Sequence, residues 1–248
     1  IQNATATGTT AGGVSVTSGA ALEIQGAITV GAEALTLNGT GISSGGALRN
    51  ISGDNSISGA ITLGAATRIN SDLNTLTLSG GITNGGFLLT IGGSGNETLT
   101  TTATSGSGGL TKDGSGTLTL SAVNTYTGAT TIAAGILNAN ATAALGDGSS
   151  TNTLIFTGGT LQAAGTITSP STRTVTLTST GIIDTNSQSI SIAGIMSGAG
   201  GLTKNTGTGT LTLTGVNTYT GATTIATGTI NANATAALGD GSSTNTLI

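Results

Sequence analysis

Apolar and polar residues alternate along the chain in many short runs of three to five residues. In the run TLTL at residues 117–120, Leu118 and Leu120 fall on one side and Thr117 and Thr119 on the other. Such alternation predicts β-strands with one buried side. Gly, Asn, Ser or Asp bound the runs, and these residues favour turns. Strands are predicted at residues 14–16, 28–30, 35–37, 61–63, 75–78, 88–91, 117–120, 175–177, 189–192 and 210–213.

Part of this pattern is repeated almost unchanged. Residues 117–155 and 210–248 are identical at 34 of 39 positions, at a constant offset of 93 residues. The segment GGLTK at 108–112 recurs at 200–204 with an offset of 92, so the second copy has one additional residue between the lysine and TLTL. Inside a strand, a shift of one residue would turn every later side chain to the opposite side. Since TLTL stays in phase, we expect the insertion to lie in the glycine-rich turn.

Three all-β architectures accommodate short strands and long repeats. A β-sandwich usually has longer strands and large aromatic core residues, and a propeller blade of about 40 to 50 residues usually carries an aromatic signature. A parallel β-helix winds the chain into coils of roughly 20 residues, stacked about 4.8 Å apart. The chain has two Tyr, two Phe and no Trp, with 54 Thr and 44 Gly. This composition favours the parallel β-helix, with four to five coils for each repeated block and about a dozen in all.

The repeat also suggests how the chain is organised. We expect one continuous solenoid over residues 1–248, with diverged coils in 1–107. Clear repeat blocks follow in 108–199 and 200–248, and the second stops within the repeat. The run ATAAL at 141–145 is predicted to be an inward-facing run of small residues at a corner rather than a helix.

Composition excludes several functions. Hydrophobic residues make up 35% of the chain and charged residues 6%, the reverse of a disordered chain. Without Cys or His, neither disulfides nor Ser–His and Cys–His nucleophiles can form. No apolar run is long enough to span a membrane as a helix, and the first residues lack the features of a signal peptide. Five scattered basic residues and a net charge of −4 argue against nucleic acid as a partner.

Carboxylates are the remaining catalytic chemistry. Paired carboxylates cleave glycosidic bonds at separations of about 5 to 9.5 Å, so a polysaccharide-degrading enzyme is an alternative function. Most of the acids stand in turn sequences, where Asp accepts hydrogen bonds from its own backbone. We therefore predict turn capping, no catalytic residues and no enzyme activity. The nine acids are Glu23, Glu33, Asp54, Asp72, Glu97, Asp113, Asp147, Asp184 and Asp240.

Calcium is a further alternative at one place. GGSGNETLT at residues 92–100 resembles a calcium-binding nonapeptide, except that Glu97 replaces Asp. Such sites need tandem nonapeptides, because their ligands come from consecutive turns. The motif occurs once, so we predict a plain turn, no metal and no cofactor.

Two sets of residues are candidates for surface contacts. Tyr126 and Tyr219, in the repeated NTYTG, would serve as sugar-stacking platforms if exposed, although packing on a coil corner is the favoured interpretation. The Thr-x-Thr steps resemble the threonine arrays of ice-binding proteins, which require the same step on successive coils without gaps. These steps are Thr117 with Thr119, Thr210 with Thr212, and the run Thr174, Thr176 and Thr178. Because the steps are intermittent, solvent-facing strand threonines are the favoured interpretation.

Residues 108–138, GGLTKDGSGTLTLSAVNTYTGATTIAAGILN, resemble the autotransporter-associated β-strand repeat, also called the passenger-associated transport repeat. Residues 200–231 resemble it as well, and residues 46–63 are similar to segments that accompany it. The resemblance implies a bacterial protein, extracellular or on the cell surface, with a right-handed parallel β-helix as its passenger. It also implies a role in secretion and folding rather than in catalysis. The family's C-terminal membrane barrel has no counterpart in these 248 residues, so export by that route is an expectation for a longer parent protein.

Taken together, these observations predict a non-catalytic rigid stalk or fibre shaft of a bacterial adhesin-like protein. Because the sequence stops within a repeat, and because little charge opposes association, we expect copies to stack end to end or laterally into filaments. Host or surface glycans are possible partners, and a glycan- or ice-binding surface is the alternative function.

Overall fold

A computed structural model describes residues 1–9, 11–100 and 102–248. In this part of the chain there are 27 short β-strands, two 3₁₀ turns at Ile42–Ser44 and Thr142–Leu145, and no α-helix. The strands are β1 (Val14–Val16), β2 (Leu22–Gln25), β3 (Thr29–Val30), β4 (Leu35–Gly39), β5 (Leu48–Ser52), β6 (Asn55–Ile57), β7 (Ile61–Ser71), β8 (Thr75–Leu78), β9 (Ile82–Thr83), β10 (Leu89–Gly93), β11 (Asn96–Leu99), β12 (Thr104–Ser105), β13 (Leu110–Lys112), β14 (Thr117–Leu120), β15 (Thr130–Ile132), β16 (Ile136–Ala139), β17 (Leu154–Phe156), β18 (Thr160–Ala163), β19 (Ile167–Ser169), β20 (Val175–Leu177), β21 (Gly181–Asp184), β22 (Ile190–Ile192), β23 (Met196–Ser197), β24 (Leu202–Lys204), β25 (Thr210–Leu213), β26 (Thr223–Ile225) and β27 (Thr229–Ala232).

The strands pair in parallel throughout the described residues. Together they form a β-solenoid of about ten turns, with successive turns about 21 residues apart. The predicted parallel β-helix is confirmed, with slightly fewer coils than the dozen expected. Some coils are longer than the rest because they contain extended turns: Leu35 pairs with Ile61, and Thr130 with Leu154.

Each coil crosses three faces of the solenoid in turn. The first face consists of β1, β4, residues 61–63 of β7, β9, β12, β19, β22, β25 and β27; the second of β2, β5, residues 67–71 of β7, β10, β13, β15, β17, β20 and β23; the third of β3, β6, β8, β11, β14, β16, β18, β21, β24 and β26.

The first face has no regular strand between β12 and β19. Backbone hydrogen bonds continue across this irregular segment: the Thr125 N–H donates to Thr104 O at 2.9 Å, and the Asn124 N–H donates to Ala143 O at 2.8 Å.

The core is a narrow aliphatic column along the solenoid axis. In β14, Leu118 and Leu120 are fully buried, whereas Thr117 and Thr119 are half-buried on the outside, as the alternation predicts. Leu118 is in register with Leu137 of the next coil, so like side chains stack along the column. Each coil's backbone hydrogen bonds go to its neighbours along the axis, so no coil is complete alone.

The insertion between the two copies lies in a turn. Residues 113–116 connect β13 to β14, and residues 205–209 connect β24 to β25. Both TLTL strands keep their leucines buried and their threonines half-buried. The prediction from sequence phase is therefore confirmed.

The two copies do not occupy the same face. On the third face, strand pairing leads from Thr117 through Ile136, Thr160 and Ile182, and it reaches Thr203 four coils later in the chain. Thr210, the counterpart of Thr117 in the second copy, comes later in the chain, on the first face. The offset between the copies is thus four coils and one face, within the predicted four to five coils. The second copy is displaced by one third of a coil around the axis.

The alanine-containing run at 141–145 forms a single 3₁₀ turn over Thr142–Leu145 rather than a longer helix. Ala144 and Leu145 are buried in it. This agrees with the prediction of inward-facing small residues at a corner.

Candidate functional site

The repeated segment NTYTG builds the same buried side-chain network in both copies. The Tyr126 hydroxyl and the Thr130 hydroxyl are 2.7 Å apart, and those of Tyr219 and Thr223 are 2.6 Å apart. Both tyrosines are completely buried. Burial raises the pKa of Tyr126 to about 12 and also raises the pKa of Tyr219, because the phenolate would lose its solvation. Neither ring forms an exposed platform for sugars, and the packing interpretation describes both.

Asn124 and Asn217, which precede these tyrosines by two positions, join three consecutive coils. Asn124 Nδ2 donates to Ala144 O at 2.6 Å, and its Oδ1 accepts the Thr104 N–H at 2.7 Å. Asn217 makes the same pair of bonds, to Ala237 O at 2.6 Å and from the Met196 N–H at 2.8 Å. Sequence reasoning missed this role, although the identical asparagines in two NTYTG segments were the available signal.

The lysines of the two LTK strands are buried and close the turns that follow them. Lys112 Nζ donates to the carbonyls of Asp113, Gly114 (3.1 Å) and Ala134 (3.5 Å). The second copy repeats this arrangement. Lys204 Nζ donates to the carbonyls of Thr206 at 3.0 Å, Gly207 at 2.8 Å and Thr227 at 3.0 Å. Burial lowers the pKa of both lysines. An ammonium that satisfies three carbonyls can remain inside the protein where a lone charge could not.

The candidate threonines lie on different faces. Thr117 and Thr119 are on the third face, whereas Thr210 and Thr212 are on the first, so the structure does not bring them together. All four are half-buried.

The coils next to Thr117 and Thr119 also break the array. Thr119 is flanked by Thr98 and Asn138, and Thr117 by Asn96 and Ile136. An ice-binding array needs the same step on successive coils, and this row of outward-facing residues does not supply it.

Most of the aspartates in turns hold the backbone. Asp147 Oδ1 accepts the Ser149 N–H at 3.0 Å, and Asp240 Oδ1 accepts the Ser242 N–H at 2.9 Å. Asp184 Oδ1 accepts the Asn186 N–H at 2.8 Å. Asp54 accepts instead from the next coil, at the Thr75 N–H (2.9 Å). Turn capping, predicted from sequence, is confirmed at Asp147, Asp184 and Asp240.

Ion pairs in the N-terminal half run along the second face. Arg49 contacts Glu23 at 3.1 Å on one neighbouring coil and Asp72 at 2.6 Å on the other. Arg68 reaches Asp113 two coils away, with paired contacts of 2.6 and 2.9 Å. It passes over Gly92, where an added Cβ would lie 1.8 Å from Asp113 Oδ1. Gly92 is therefore required by the ion pair that crosses it.

Glu97, the acid of the calcium-like nonapeptide, points into the core. It is fully buried between Leu76 and Leu118 on the adjoining coils, and its Oε1 accepts the Ser71 N–H at 2.9 Å. Burial raises its pKa to about 8, against the opposing charge of Lys112. The carboxyl is therefore unavailable as a ligand in the turn. Among the described residues, no three His, Cys, Asp or Glu side chains are grouped so that they would hold a metal ion.

Two segments, residues 110–139 and 202–232, match the family model of the passenger-associated transport repeat. They cover about a quarter of the chain, and the predicted presence of two such repeats is confirmed. No curated protein and no solved structure matches the sequence significantly. Within the described residues, no helix has the length and apolar character needed to cross a membrane. The repeats and the β-solenoid are consistent with a structural region of an autotransporter passenger, a class of secreted or surface proteins.

Proposed function

We propose that this chain is a non-catalytic, extracellular shaft of a bacterial surface or secreted adhesin-like protein. Its function is mechanical: it sets a fixed distance along the solenoid axis. The observation that carries the proposal is the parallel pairing that continues from β1 to β27 while one buried network is built twice. A chain whose repeated residues are used for internal packing is suited to extension, since each coil adds about 4.8 Å.

The polar side chains support this proposal over a catalytic one. Both tyrosines, both repeated asparagines and both repeated lysines are engaged in internal hydrogen bonds. Seven of the nine acids accept backbone hydrogen bonds at turns or between coils, or pair with arginines, and Glu97 accepts a backbone N–H inside the core. A glycan-binding surface loses its strongest candidates once the tyrosines are buried, so no second function is proposed.

The proposal is tested by measuring length in solution. Because the chain has no cysteine, spin labels can be attached uniquely to Ser15→Cys on β1 and Thr212→Cys on β25, both on the first face. The sites are nine coils apart, which predicts a narrow distance distribution centred at about 43 Å. A second pair, Ser15→Cys with Thr83→Cys, is three coils apart and serves as an internal ruler at about 14 Å. A broad distribution, or a long distance that fails to scale with coil number, would contradict the shaft.

Contact between copies is a separate part of this proposal. Charge is scarce, and apolar side chains project at corresponding corners of the two copies, with Val123 66% and Val216 58% exposed. Stacking into filaments predicts a sedimentation coefficient that rises with protein concentration. A monomer that is unchanged over a wide range of concentration would contradict self-association and leave the length measurement unaffected.

A further inference from the structure

Asparagine is followed by glycine at two places in the chain, Asn38–Gly39 and Asn84–Gly85. Asparagine is among the thermolabile residues of proteins. Its side-chain amide is lost most readily before glycine, because glycine has no Cβ to keep its backbone nitrogen away from the preceding side chain. Since both sites contain the same reactive pair, their surroundings decide which of them reacts.

Asn84 is held firmly inside the solenoid. The residue is fully buried, and its Nδ2 donates to Gly108 O at 2.9 Å. Its Oδ1 accepts the Gly108 N–H at 2.9 Å and the Gly86 N–H at 3.3 Å. Both atoms of the amide are thus bonded to backbone, and the pair of bonds to Gly108 fixes the orientation of the side chain. The Cγ atom of Asn84 can meet the next backbone nitrogen only when this coil opens.

Asn38 is held by fewer contacts. It is half-buried near the end of β4. Its Nδ2 donates to Val16 O at 2.9 Å, and within the described part of the chain this is the one hydrogen bond of its side chain. The amide can therefore turn after a single bond is broken.

The backbone around Asn38 also leaves the regular ladder. Leu37 pairs with Leu63, but the next pair joins Gly39 to Thr67, so the register shifts across Asn38. On the opposite side, the pairing of β4 with β1 ends at Leu37. Gly39 has a φ of 81°, a conformation that suits glycine. Ladder pairing therefore does not fix Asn38 on either side.

The reaction at Asn38 needs only water and base. The Gly39 nitrogen gives its proton to base and attacks Asn38 Cγ. An N–C bond forms while the bond from Cγ to Nδ2 breaks, and the leaving nitrogen takes up a proton and departs as ammonia. The cyclic imide then adds water at one of its two carbonyls. One opening gives aspartate and the other gives isoaspartate, in which the main chain runs through Cβ and Cγ; nothing is oxidised or reduced.

We propose that Asn38–Gly39 is a site of spontaneous deamidation, and that its product loosens β1 from β4. The Asn38 Nδ2 is the donor that continues the contact between the two strands beyond the pair Val16–Leu37. A carboxylate in its place can only accept, so it faces the Val16 carbonyl without a hydrogen bond. Isoaspartate also adds an atom to the main chain. This proposal does not depend on the proposed function, since it concerns one local turn.

The test compares the folded chain with two unstructured peptides at mildly alkaline pH. The peptides are residues 35–42, LTLNGTGI, and residues 81–88, GITNGGFL, and each gives the rate of its site without the fold. For each site, the ratio of the peptide rate to the rate in the folded chain measures protection. We expect protection to be at least about tenfold greater at Asn84 than at Asn38, because a buried and bonded site reacts only through local opening.

Peptide mapping by mass spectrometry gives the rates. The mass gained when an amide becomes a carboxyl identifies deamidation. It also distinguishes deamidation from isomerisation of the aspartates that precede glycine, which leaves the mass unchanged. These aspartates are Asp113, Asp147 and Asp240.

Hydrogen exchange of residues 14–16 reads out the structural consequence. Exchange should be faster in the aged chain than in the fresh one, and Asn38→Asp should show the faster exchange from the start. Asn38→Gln is the matched control: it keeps an amide but would need a larger ring, so its exchange should not change with age. Equal protection at the two sites, no conversion of Asn38 once its peptide has reacted, or unchanged exchange in converted protein would each overturn the proposal.

Discussion

The two copies of the repeat have nearly the same residues and the same buried bonds, yet they lie on different faces. TLTL stands on the third face in the first copy and on the first face in the second. The Tyr–Thr, Asn–backbone and Lys–carbonyl contacts are nevertheless reproduced closely in most cases. The comparison teaches that the repeat specifies how a coil packs on its neighbours, and that a copy displaced by one face forms the same contacts.

The largest effect is expected from removing the buried ring. Tyr126→Ala should lower the free energy of unfolding by about 3–5 kcal/mol, because a buried aromatic side chain leaves a cavity. Tyr219→Ala should cost less, because Leu238 is only partly buried, whereas its counterpart Leu145 in the first copy is fully buried. Urea unfolding of both variants, with the conservative Tyr126→Phe as control, checks this. Equal losses at both sites would show that the packing around Tyr219 is as tight as that around Tyr126.

The pH dependence of stability offers a second way to distinguish the surroundings of the two buried lysines, because a different acid lies near each. Near Lys112 lies Glu97, whose pKa burial raises to about 8. The folded state then binds more protons than the unfolded state between about pH 4.5 and 8, so stability should fall as pH rises through that window, by a few kcal/mol. Glu97→Gln should remove this dependence, as measured by thermal unfolding from pH 4 to 9. Retention of the full slope in the variant would contradict the assignment to Glu97.

The surroundings of Lys204 in the second copy should show the opposite dependence, because the acid beside this lysine is Asp184. Burial opposes the charge of Asp184, but hydrogen bonds from Gln162, Thr206 and the Asn186 N–H outweigh it and lower its pKa. Its contribution to stability is present above the ordinary pKa of aspartate and is lost as pH falls through the lowered value. Asp184→Asn should therefore flatten the acidic limb only and leave the window of Glu97 unchanged.

Removing an asparagine side chain should lower the free energy of unfolding less than removing a tyrosine ring does. The two copies should also differ less from each other in this loss. Asn124→Ala leaves the Thr104 N–H and Ala144 O without partners inside the solenoid, which should cost about 2–3 kcal/mol. Asn217→Ala should approach this value, because its two bonds, at 2.8 and 2.6 Å, nearly match those of Asn124. Hydrogen exchange at Thr104 and Met196 provides the direct readout, with Asn205→Ala in an outer turn as control.

The smallest effect is expected from exchanging the turns. Replacing residues 205–209 (NTGTG) by DGSG, the turn of the first copy, deletes one residue. If the turn absorbs the difference, β25 stays in phase and stability should change by less than about 1 kcal/mol. Exposure of Leu211 and Leu213 in the exchanged protein would show that the register had slipped.

The alternation of the strands made much of this fold predictable. It identified the strands of residues 117–120 and 210–213, their buried leucines and the turn that holds the insertion. The rotation of the second copy was not predictable, because coil spacing is uneven: Thr117 pairs with Ile136, whereas Leu35 pairs with the more distant Ile61. The offset between two copies therefore does not by itself fix a face.

The buried charges were missed even though the pattern contained them. Glu97 comes two positions before Leu99, Lys112 two after Leu110, and Arg173 two before Val175, so each is in phase with an inward-facing residue. Charged side chains usually face solvent, so sequence reasoning did not assign these three residues to the core. Turn carbonyls and loop acceptors next to the column, which sequence does not reveal, hold these groups inside.

The one-face displacement of the second copy has a consequence for any array built from this repeated block. Each addition advances the pattern by a third of a revolution, so a third addition returns it to the starting direction. Exposed groups such as Val123 and Val216 would then follow a screw around the rod and point in three directions rather than form one stripe. A partner approaching from any side would meet a copy of the motif.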